Sequence, residues 1–447
     1  YNIEATREAF GLAGIQVEDF PAEPAPIAQE IRENPATISN VRLWDHRPLL
    51  DTYNQIQAIR LYYDFLDVDV DRYTIDGDYR QVMLSARELS RDQLPSDAQT
   101  WVNRTLQYTH GYGIAMSPVN EVRKDGGLPV LWVHDVPPTG IIEIERPQLY
   151  YAEITGEHVI VNTRTEEFDY PSGDQNIFTT YQGKGGVPIG SLLRRALYAW
   201  DRSDFNILIS SQLTSESRIM YHRSIGERVQ RIAPFLTLDA DPYIVVHEGS
   251  LLWIQDCYTT SSRYPYSNPW DTGVNYIRNS VKAVVDAYNG SVDFYVIDPD
   301  DPILRTYSEI FPTLFKPIDE MPEDLKVHLR YPEDLFNMQA SVYRAYHMTD
   351  PRVFYNREDM WAFPMEYYAG GEQPMEPYYI IMRLPGEEQE EFLMMLPFTP
   401  SNRNNAIGWL AARCDGEHYG NLIVYQFPKD CLLYTSDAAD ELDGVDL

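Results

Sequence analysis

The chain has 447 residues, 68 of them acidic and 36 basic, for a formal net charge of -32. This charge argues against binding to nucleic acid, which requires a basic surface, and against lying flat on an anionic membrane. Hydrophobic residues make up 44% of the chain, enough for a sizeable core, and no apolar run is long enough to span a bilayer.

The N-terminal part is predicted to begin with helices. The first lies at ATREAFGLAGI and the second at RPLLDTYNQIQAIRLYYDF, where apolar residues recur near helical spacing. The next segment, DVDVDRYTIDGDYR, alternates like a strand pair with Asp76-Gly77 as its turn. A helix that starts at Ser96 is predicted to end at Gly111.

The central part is predicted to contain three hairpins with turns at Gly156-Glu157, Glu248-Gly249 and Asn289-Gly290. Between the first two, SLLRRALYAWDRSDFNILISSQL and SESRIMYHRSIGERVQRIAPF are predicted helices. The first of these is apolar enough to touch a membrane, although Arg194-Arg195 and its length fit a core helix equally well.

Beyond residue 300 the pattern predicts short helices, then a strand pair at YYIIMRLP and EEFLMMLPF, a helix at NRNNAIGWLAARC and a last strand at NLIVYQF. Together these elements predict an α+β fold of mixed, mainly antiparallel sheets with hairpins and short packed helices. We expect two subdomains, 1–300 and 301–430. The final stretch, 431–447, resembles a translated sequencing adapter rather than native sequence.

His110 is the first candidate for chemistry. It lies in Tyr108-Thr109-His110-Gly111-Tyr112-Gly113, where the glycines leave room for a ligand beside His110, Tyr108 and Tyr112. The sequence near His110 provides no partner to orient it as a general base. The pattern therefore favours a corner at which a helix ends and a strand begins.

Two aspartate groups are candidates for binding a divalent cation. Asp67, Asp69 and Asp71 have the 1, 3, 5 spacing of a calcium loop, but Arg72 stands where such a loop needs Gly. The strand-like alternation favours solvent-facing carboxylates on an edge strand instead. Asp300 and Asp301 precede a predicted helix and are better explained as a turn with an N-cap.

Two further strings give weaker candidates. Lys184 lies in a Gly-rich loop before a helix, which is a geometry that can hold an anion, but the order of a P-loop is absent, and Ser191 as an N-cap is the simpler interpretation. His418 follows Glu417 in a loop. A hydrolase site would require His110, Asp174 and His418 to meet in space. No catalytic motif occurs in the chain, so the sequence leans away from an enzyme.

Long strings of the chain resemble a known family. They run from residue 1 to about 430 in order and include TWVNRTLQYTHGYGIAMSPVN, GKGGVPIGSLLRR, DPYIVVHEGSLLWIQDCYTTS, YIRNSVKAVVDAYNGSVDFYVIDPDDPI, EPYYIIMRLPGE and WLAARCDGEHYGNLIVYQFPK. These strings are similar to the bacterial uncharacterised protein family 0182. The resemblance carries no established catalytic residue or cofactor.

The resemblance implies where such a chain works. Members of this family are multi-pass proteins of the cell membrane, in which several N-terminal transmembrane helices precede a large extracytoplasmic region. This chain matches that region only, so its expected partner is the missing transmembrane part. We expect a binding, assembly or envelope-maintenance role, with an envelope hydrolase as the alternative. The sequence does not name a ligand or an oligomeric state.

Overall fold

The computed structural model describes residues 1–20, 35–124, 126–173, 175–271, 273–401, 403 and 405–428. The proposed adapter-derived tail, 431–447, lies outside the described residues. The helices are α1 (Asn2–Ala9), α2 (Pro35–Ser39), α3 (His46–Ile56), α4 (Leu192–Asp201), α5 (Asn206–Ile209), α6 (Ile225–Ile232), α7 (Pro302–Ile310), α8 (Glu323–Lys326), α9 (Glu333–Tyr346) and α10 (Pro351–Asn356).

The strands of the N-terminal half are β1 (Gln16–Asp19), β2 (Tyr63–Asp64), β3 (Asp69–Ile75), β4 (Asp78–Ala86), β5 (Glu88–Leu89), β6 (Gly111–Tyr112), β7 (Ile114–Pro118), β8 (Val133–His134), β9 (Thr139–Gly140), β10 (Gln148–Leu149), β11 (Val159–Val161), β12 (Glu167–Ser172), β13 (Gln175–Thr179), β14 (Val187–Pro188) and β15 (Arg218–Met220). Those that follow are β16 (Thr237–Leu238), β17 (Tyr243–His247), β18 (Ser250–Ser261), β19 (Tyr276–Asp286), β20 (Val292–Val296), β21 (Phe315–Pro317), β22 (Trp361–Ala362), β23 (Met365–Tyr368), β24 (Gly371–Pro374), β25 (Tyr378–Arg383), β26 (Glu390–Pro400), β27 (Gly408–Arg413) and β28 (Leu422–Gln426).

The fold is α+β, and its strand pairs are antiparallel except for β1 with β28 and β20 with β21 among the described residues. Three sheets dominate. One has the order β3-β4-β7-β8-β9, the second β16-β18-β19-β20-β21 with β17 also paired to β18, and the third β1-β28-β27-β26-β22 with β25 also paired to β26. The predicted fold class is therefore confirmed.

Local turn chemistry explains the hairpins that the sequence predicted correctly. The β3–β4 and β17–β18 turns place Asp76-Gly77 and Glu248-Gly249 at positive φ, the backbone region of a tight two-residue hairpin turn. The β19–β20 hairpin and the β25–β26 strand pair also form as predicted.

Among the predicted elements that the structure contradicts, three are wrong because long-range pairing prevails over local preference. The segment around Gly156-Glu157 is not a hairpin, since β10 pairs with β6 and β11 with β15. SESRIMYHRS contributes β15 before α6 begins. The predicted helix at NRNNAIGWLAARC is the strand β27, fully buried between β26 and β28.

The largest hydrophobic core is built from both ends of the chain. It joins Phe10 and Tyr53 near the N-terminus to Phe336, Phe398 and Val424. This core crosses residue 300, and the division of the chain at that point stays a prediction. Among the described residues, each helix is too short or too polar to cross a bilayer.

Candidate functional site

Asp69 and Asp71 of the DVDVD segment lie in β3, and Asp67 lies two residues before this strand. Because side chains alternate along a strand, Asp69 and Asp71 share one face, while Val70, together with Val68 before the strand, enters the largest core. β3 is an end strand of its sheet, as predicted. The prediction that these carboxylates face solvent is wrong, since Asp69 is 3% and Asp71 1% exposed.

The burial of Asp69 follows from the sheet that β3 packs against. β17 pairs with β18, and backbone amides at its other edge need acceptors. The amide of Ile244 donates to Asp69 Oδ2 at 3.0 Å, and the amide of Val246 donates to the Tyr73 hydroxyl at 3.0 Å. Asp69 is therefore held at the junction of two sheets.

A second acidic segment completes the site. Asp241 lies two residues before β17, and one carboxylate oxygen from each of Asp67, Asp69 and Asp241 lies within 4.8 Å of the other two. Asp67 and Asp241 line a cleft of about 450 Å³. We call this group and its surroundings the acidic cleft.

Arg330 is the counter-charge of the acidic cleft. Its Nη1 lies 3.2 Å from Asp69 Oδ1, and its Nη2 donates to Asp241 Oδ2 at 2.5 Å. Its guanidinium lies over the Tyr243 ring, 4.0 Å from the centroid, which holds it in place. Even so, Asp69 Oδ1 makes no well-directed hydrogen bond within the described part of the chain.

Negative charge exceeds positive charge around this cleft. Its lining includes three arginines and five acids, which are Asp67, Asp239, Asp241, Glu333 and Asp334. One of the arginines, Arg47, is already paired with Asp45 and Glu366. A buried excess of carboxylates is unfavourable unless protons or cations neutralise it.

The pKa values of carboxyl groups in and beside the cleft are raised, in keeping with this excess of negative charge. Burial, followed by neighbouring acids, raises the pKa of Asp67 well above its usual range. Burial does the same to the pKa of Asp69, although Arg330 opposes the shift. Burial and the charges of Glu88, Asp69 and Asp241 raise the pKa of Glu153 to about 9. Burial and mutual repulsion therefore favour the protonated forms of these carboxyl groups.

Asp71, the third residue of the predicted calcium loop, is engaged elsewhere. Its Oδ2 lies 2.7 Å from His328 Nδ1, and Arg72 is 3.4 Å from its Oδ1. Burial tends to raise the pKa of Asp71, but His328 and Arg72 outweigh burial and lower it. The site therefore uses two of the three predicted aspartates together with Asp241.

Asp300 and Asp301 occupy the turn and cap that the sequence favoured. Asp301 accepts hydrogen bonds from the Ile303 and Leu304 amides at the start of α7. Hydroxyl groups supply its other donors, from Thr259, Tyr276 and Ser280. Burial alone would raise the pKa of Asp301, yet these donors lower it. Asp300 is exposed and pairs with Arg305.

His110 lies at the predicted corner, between a π-helical turn (Asn103–Gln107) and β6. It is 1% exposed. Its Nδ1 is 2.8 Å from the Thr109 hydroxyl, and its Nε2 is 3.3 Å from Asp169. The Thr109 and Tyr150 hydroxyls both donate to Glu167. This closed network supports a structural role for His110.

The tyrosines beside His110 are parts of aromatic packing. Tyr108 packs against Tyr62 and Phe168, and Tyr112 packs against Tyr170. Tyr112 is buried, so its ring contributes to the core rather than to an open surface.

His418 lies in another part of the molecule. It is exposed in a cleft of about 1090 Å³, with Glu387 and Glu391 atoms within 4.8 Å. Arg413 forms ion pairs with both glutamates, at 2.9 Å to Glu387. His110 and His418 share no contact in the described part of the chain, and Asp174 lies outside it. The structure therefore does not bring His110 and His418 together, and the trio with Asp174 stays a prediction.

In the glycine loop around Lys184, backbone amides are already bonded within the protein and backbone carbonyls face an arginine. The Lys184 amide donates to Asn289 and the Gly185 amide to the Tyr181 hydroxyl. The loop carbonyls instead accept hydrogen bonds from Arg218. Ser191 caps α4 as predicted, accepting from the Arg194 amide. Phosphate binding by this loop is not supported by its geometry.

Sequence reasoning missed Asp241, Arg330 and Glu153. Asp241 carries a usable signal, because the string Asp239-Ala240-Asp241 repeats the alternating acids of Asp67 and Asp69 before a strand. Arg330 and Glu153 carry no local signal, since their role depends on neighbours distant in sequence.

The chain is similar to known proteins along almost all of its length. A model described as uncharacterised protein family UPF0182 matches residues 1–442. A UPF0182 protein of Pelotomaculum thermopropionicum is 55% identical over 435 residues, covering 97% of this chain and 48% of the relative. One of Methanospirillum hungatei is 54% identical over 443 residues, covering 97% and 49%. The chain thus spans about half the length of the curated relatives it matches. No solved structure matches it.

Proposed function

Since the chain belongs to the uncharacterised protein family UPF0182, we propose that it is a binding region whose acidic cleft takes up a divalent cation. The observation that carries this proposal is the convergence of Asp67, Asp69 and Asp241 within 4.8 Å of one another. Their carboxylates are hard oxygen ligands, which suit Ca²⁺ or Mg²⁺ rather than a thiolate-preferring metal.

The spacing of the oxygens fits such an ion. Calcium–oxygen distances are about 2.4 Å, so two oxygens on opposite sides of one ion are about 4.8 Å apart. One oxygen from each of the three aspartates lies within that separation of the other two. A bound cation would also supply a partner for Asp69 Oδ1, which lies buried without a well-directed hydrogen bond among the described residues.

Calcium is the better candidate of the two ions. Magnesium requires a near-octahedral shell at short distances and keeps several waters, whereas calcium accepts irregular carboxylate sets. Asp67 and Asp241 are half-buried on an open cleft, and Asp69 is fixed from behind by Ile244 and Arg330. This irregular arrangement favours the more tolerant ion.

The test is calorimetric titration of the chelator-treated chain with CaCl₂ and MgCl₂ at pH 8. We expect binding of Ca²⁺ with a Kd between micromolar and millimolar, and at least tenfold weaker binding in Asp67→Asn and in Asp241→Asn. Asp300→Asn is the matched control, because Asp300 is an exposed acid outside the cleft. Undiminished binding in both cleft variants, or no binding by the parent chain, would refute the proposal.

We further propose that the chain works outside the cytoplasm, as the extracytoplasmic region of a longer membrane protein whose transmembrane part is its partner. Length supports only the existence of a further part, since about half of each matched relative lies beyond the region shared with this chain. The experiment introduces a cysteine into a full-length relative at the position aligned with exposed Leu61. Labelling by an impermeant maleimide in intact cells is expected, and labelling that requires lysis would contradict the proposal.

Hydrolysis is the second candidate, and the His418 cleft is its best location. The observation that favours it is the grouping of His418 with Glu387 and Glu391. The pairing of both glutamates with Arg413 weakens it, because Arg413 already compensates one of their two negative charges. Hydrolysis of an ester or glycoside panel that His418→Ala abolishes would establish this activity, and no turnover would exclude it for that panel.

A further inference from the structure

The surface of α4 and α5 departs from the usual arrangement of an amphipathic helix. In α4 the apolar side chains Leu193, Leu197 and Trp200 recur at i, i+4 and i+7, yet they are 71%, 54% and 84% exposed. Leu192 beside them, and Phe205 and Ile209 at α5, are exposed as well. We call these six side chains the apolar ridge.

The ridge is a built feature of the fold rather than a helix that lies loosely on the surface. Ala199 and Ile207 pack into a core with Leu106, Ile160 and Ile219, so the small face of α4 is the one turned inward. Arg195 holds α4 down by donating to the carbonyls of Ile189 and Thr214. At the α4–α5 junction, Trp101 Nε1 donates to Asp204 at 2.6 Å.

These contacts keep the large apolar side chains pointing outward. Large apolar side chains exposed together on neighbouring helices mark a surface that meets another apolar phase. The sequence left membrane contact and core burial as equal interpretations of this helix. Because the side chains of the ridge are exposed, burial in the core is excluded as their role.

Charge indicates which apolar phase the ridge meets. From Lys184 to Leu213 the chain has four basic and two acidic residues, in a protein of net charge -32. Asp204 is turned toward Trp101 and His158, and the exposed Asp201 is paired with Arg202. The segment that bears the ridge therefore has two more basic than acidic residues, which complements lipid phosphates.

The overall negative charge does not prevent such contact. At physiological ionic strength, charges farther than about 8 Å are largely screened, so the groups beside the ridge dominate its interaction with a surface. The segment combines Leu and Phe with one Trp and flanking arginines. Helices that lie in the membrane interface have this composition. α4 has ten residues and spans about 15 Å, too short to cross a bilayer.

We propose that the apolar ridge inserts into the interfacial layer of a lipid bilayer, with α4 parallel to the membrane plane. This inference uses residues separate from the acidic cleft, and it does not depend on the side of the membrane on which the chain works. It stands if cation binding fails.

The test is flotation of the full chain with vesicles of phosphatidylcholine, alone and with about a third phosphatidylglycerol, at physiological salt. We expect the chain to float with both, and the partition coefficient to fall at least tenfold in the double variant Leu193→Glu/Leu197→Glu. The matched control is Leu61→Glu/Val327→Glu, which places two glutamates at exposed apolar positions outside the ridge, 81% and 56% exposed.

Three results would overturn the proposal. They are no flotation of the parent chain, equal loss in the ridge and control variants, and a dimer in sedimentation that the ridge variant dissociates, which would assign the ridge to a second copy. Circular dichroism serves as the control for folding of the ridge variant. If it is not, Leu193→Ser/Leu197→Ser replaces it with the same criteria.

Discussion

Asp69 and Asp301 are both buried carboxylates that the sequence marked as cation candidates, and the fold treats them in opposite ways. Asp301 is surrounded by hydroxyl and amide donors, which lower its pKa. Asp69 has one backbone donor, one guanidinium and two further aspartates nearby, and its pKa is raised. The number of donors around a buried carboxylate, rather than burial itself, therefore separates a structural acid from a candidate cation ligand.

The largest effect is expected at Asp301. Asp301→Ala removes the N-cap of α7 and leaves three buried hydroxyl donors without their acceptor. A lost cap costs about 1 kcal/mol and each unsatisfied buried donor about 1 kcal/mol or more. We expect the free energy of unfolding in urea to fall by about 3–5 kcal/mol, with cation affinity unchanged. A fall below about 1 kcal/mol would show that the donors are not tied to this carboxylate.

The second effect is on pH dependence. Burial raises the pKa of Glu153 to about 9, so between its ordinary value near 4.5 and about 9 the folded chain keeps a proton that the unfolded chain loses. The metal-free protein must then lose stability as pH rises through this window, by about 1.4 kcal/mol per pH unit for each such group.

The raised pKa values of Glu333 and Asp239 also make the free energy of unfolding fall as pH rises, but over a lower pH range. Burial raises the pKa of each to about 7, so their contribution is lost mainly below neutrality, and that of Glu153 continues to about 9. Urea unfolding of the chelated protein at pH 7 and pH 9 should show a loss of about 2–3 kcal/mol. Glu153→Gln should flatten this slope, and a stability that rises from pH 7 to pH 9 would contradict the assignment.

The third effect links the cation to these protons. Because a cation and protons compete for the same carboxylates, the stabilisation by saturating CaCl₂ should be greater at pH 8 than at pH 5.5 by about 1–2 kcal/mol. Thermal unfolding with and without CaCl₂ measures this difference. Asp67→Asn should remove most of it, and an equal calcium effect at both pH values would place the ion elsewhere.

The smallest effect is expected at Asp300. Its pair with Arg305 is exposed on both sides, and such pairs contribute little. Asp300→Asn should change the free energy of unfolding by less than about 0.5 kcal/mol and leave calcium binding intact. A large change in either quantity would mean that Asp300 has a further important neighbour, which the comparison between Asp69 and Asp301 leaves out.

Local signals predicted a large part of the fold. The Asp76-Gly77 and Glu248-Gly249 turns demand positive φ over two residues, so their hairpins can be recognised without tertiary information. The β27 segment could not be recognised in this way. Its Ala, Leu and Arg residues favour a helix locally, but it is buried on both faces as an inner strand, and burial by distant strands outweighs that preference.

The candidate site was predicted in part. The alternation of Asp67, Asp69 and Asp71 placed three carboxylates on one face, and their spacing suggested a cation. This spacing could not indicate that Asp71 would pair with His328, or that Asp241 would stand in place of Asp71 in the acidic cleft. Those partners come from elements far along the chain, so no local window contains them.

By itself the sequence determined the family resemblance. It also determined the hairpin turns at Asp76-Gly77, Glu248-Gly249 and Asn289-Gly290 and the helix caps at Ser191 and Asp301, because turns and caps depend on backbone preferences within a few residues. The tertiary structure alone decided the burial of Asp69, its grouping with Asp241 and the outward face of α4. Electrostatic environment and exposure are sums over all neighbours in space, and most of those neighbours are distant in sequence.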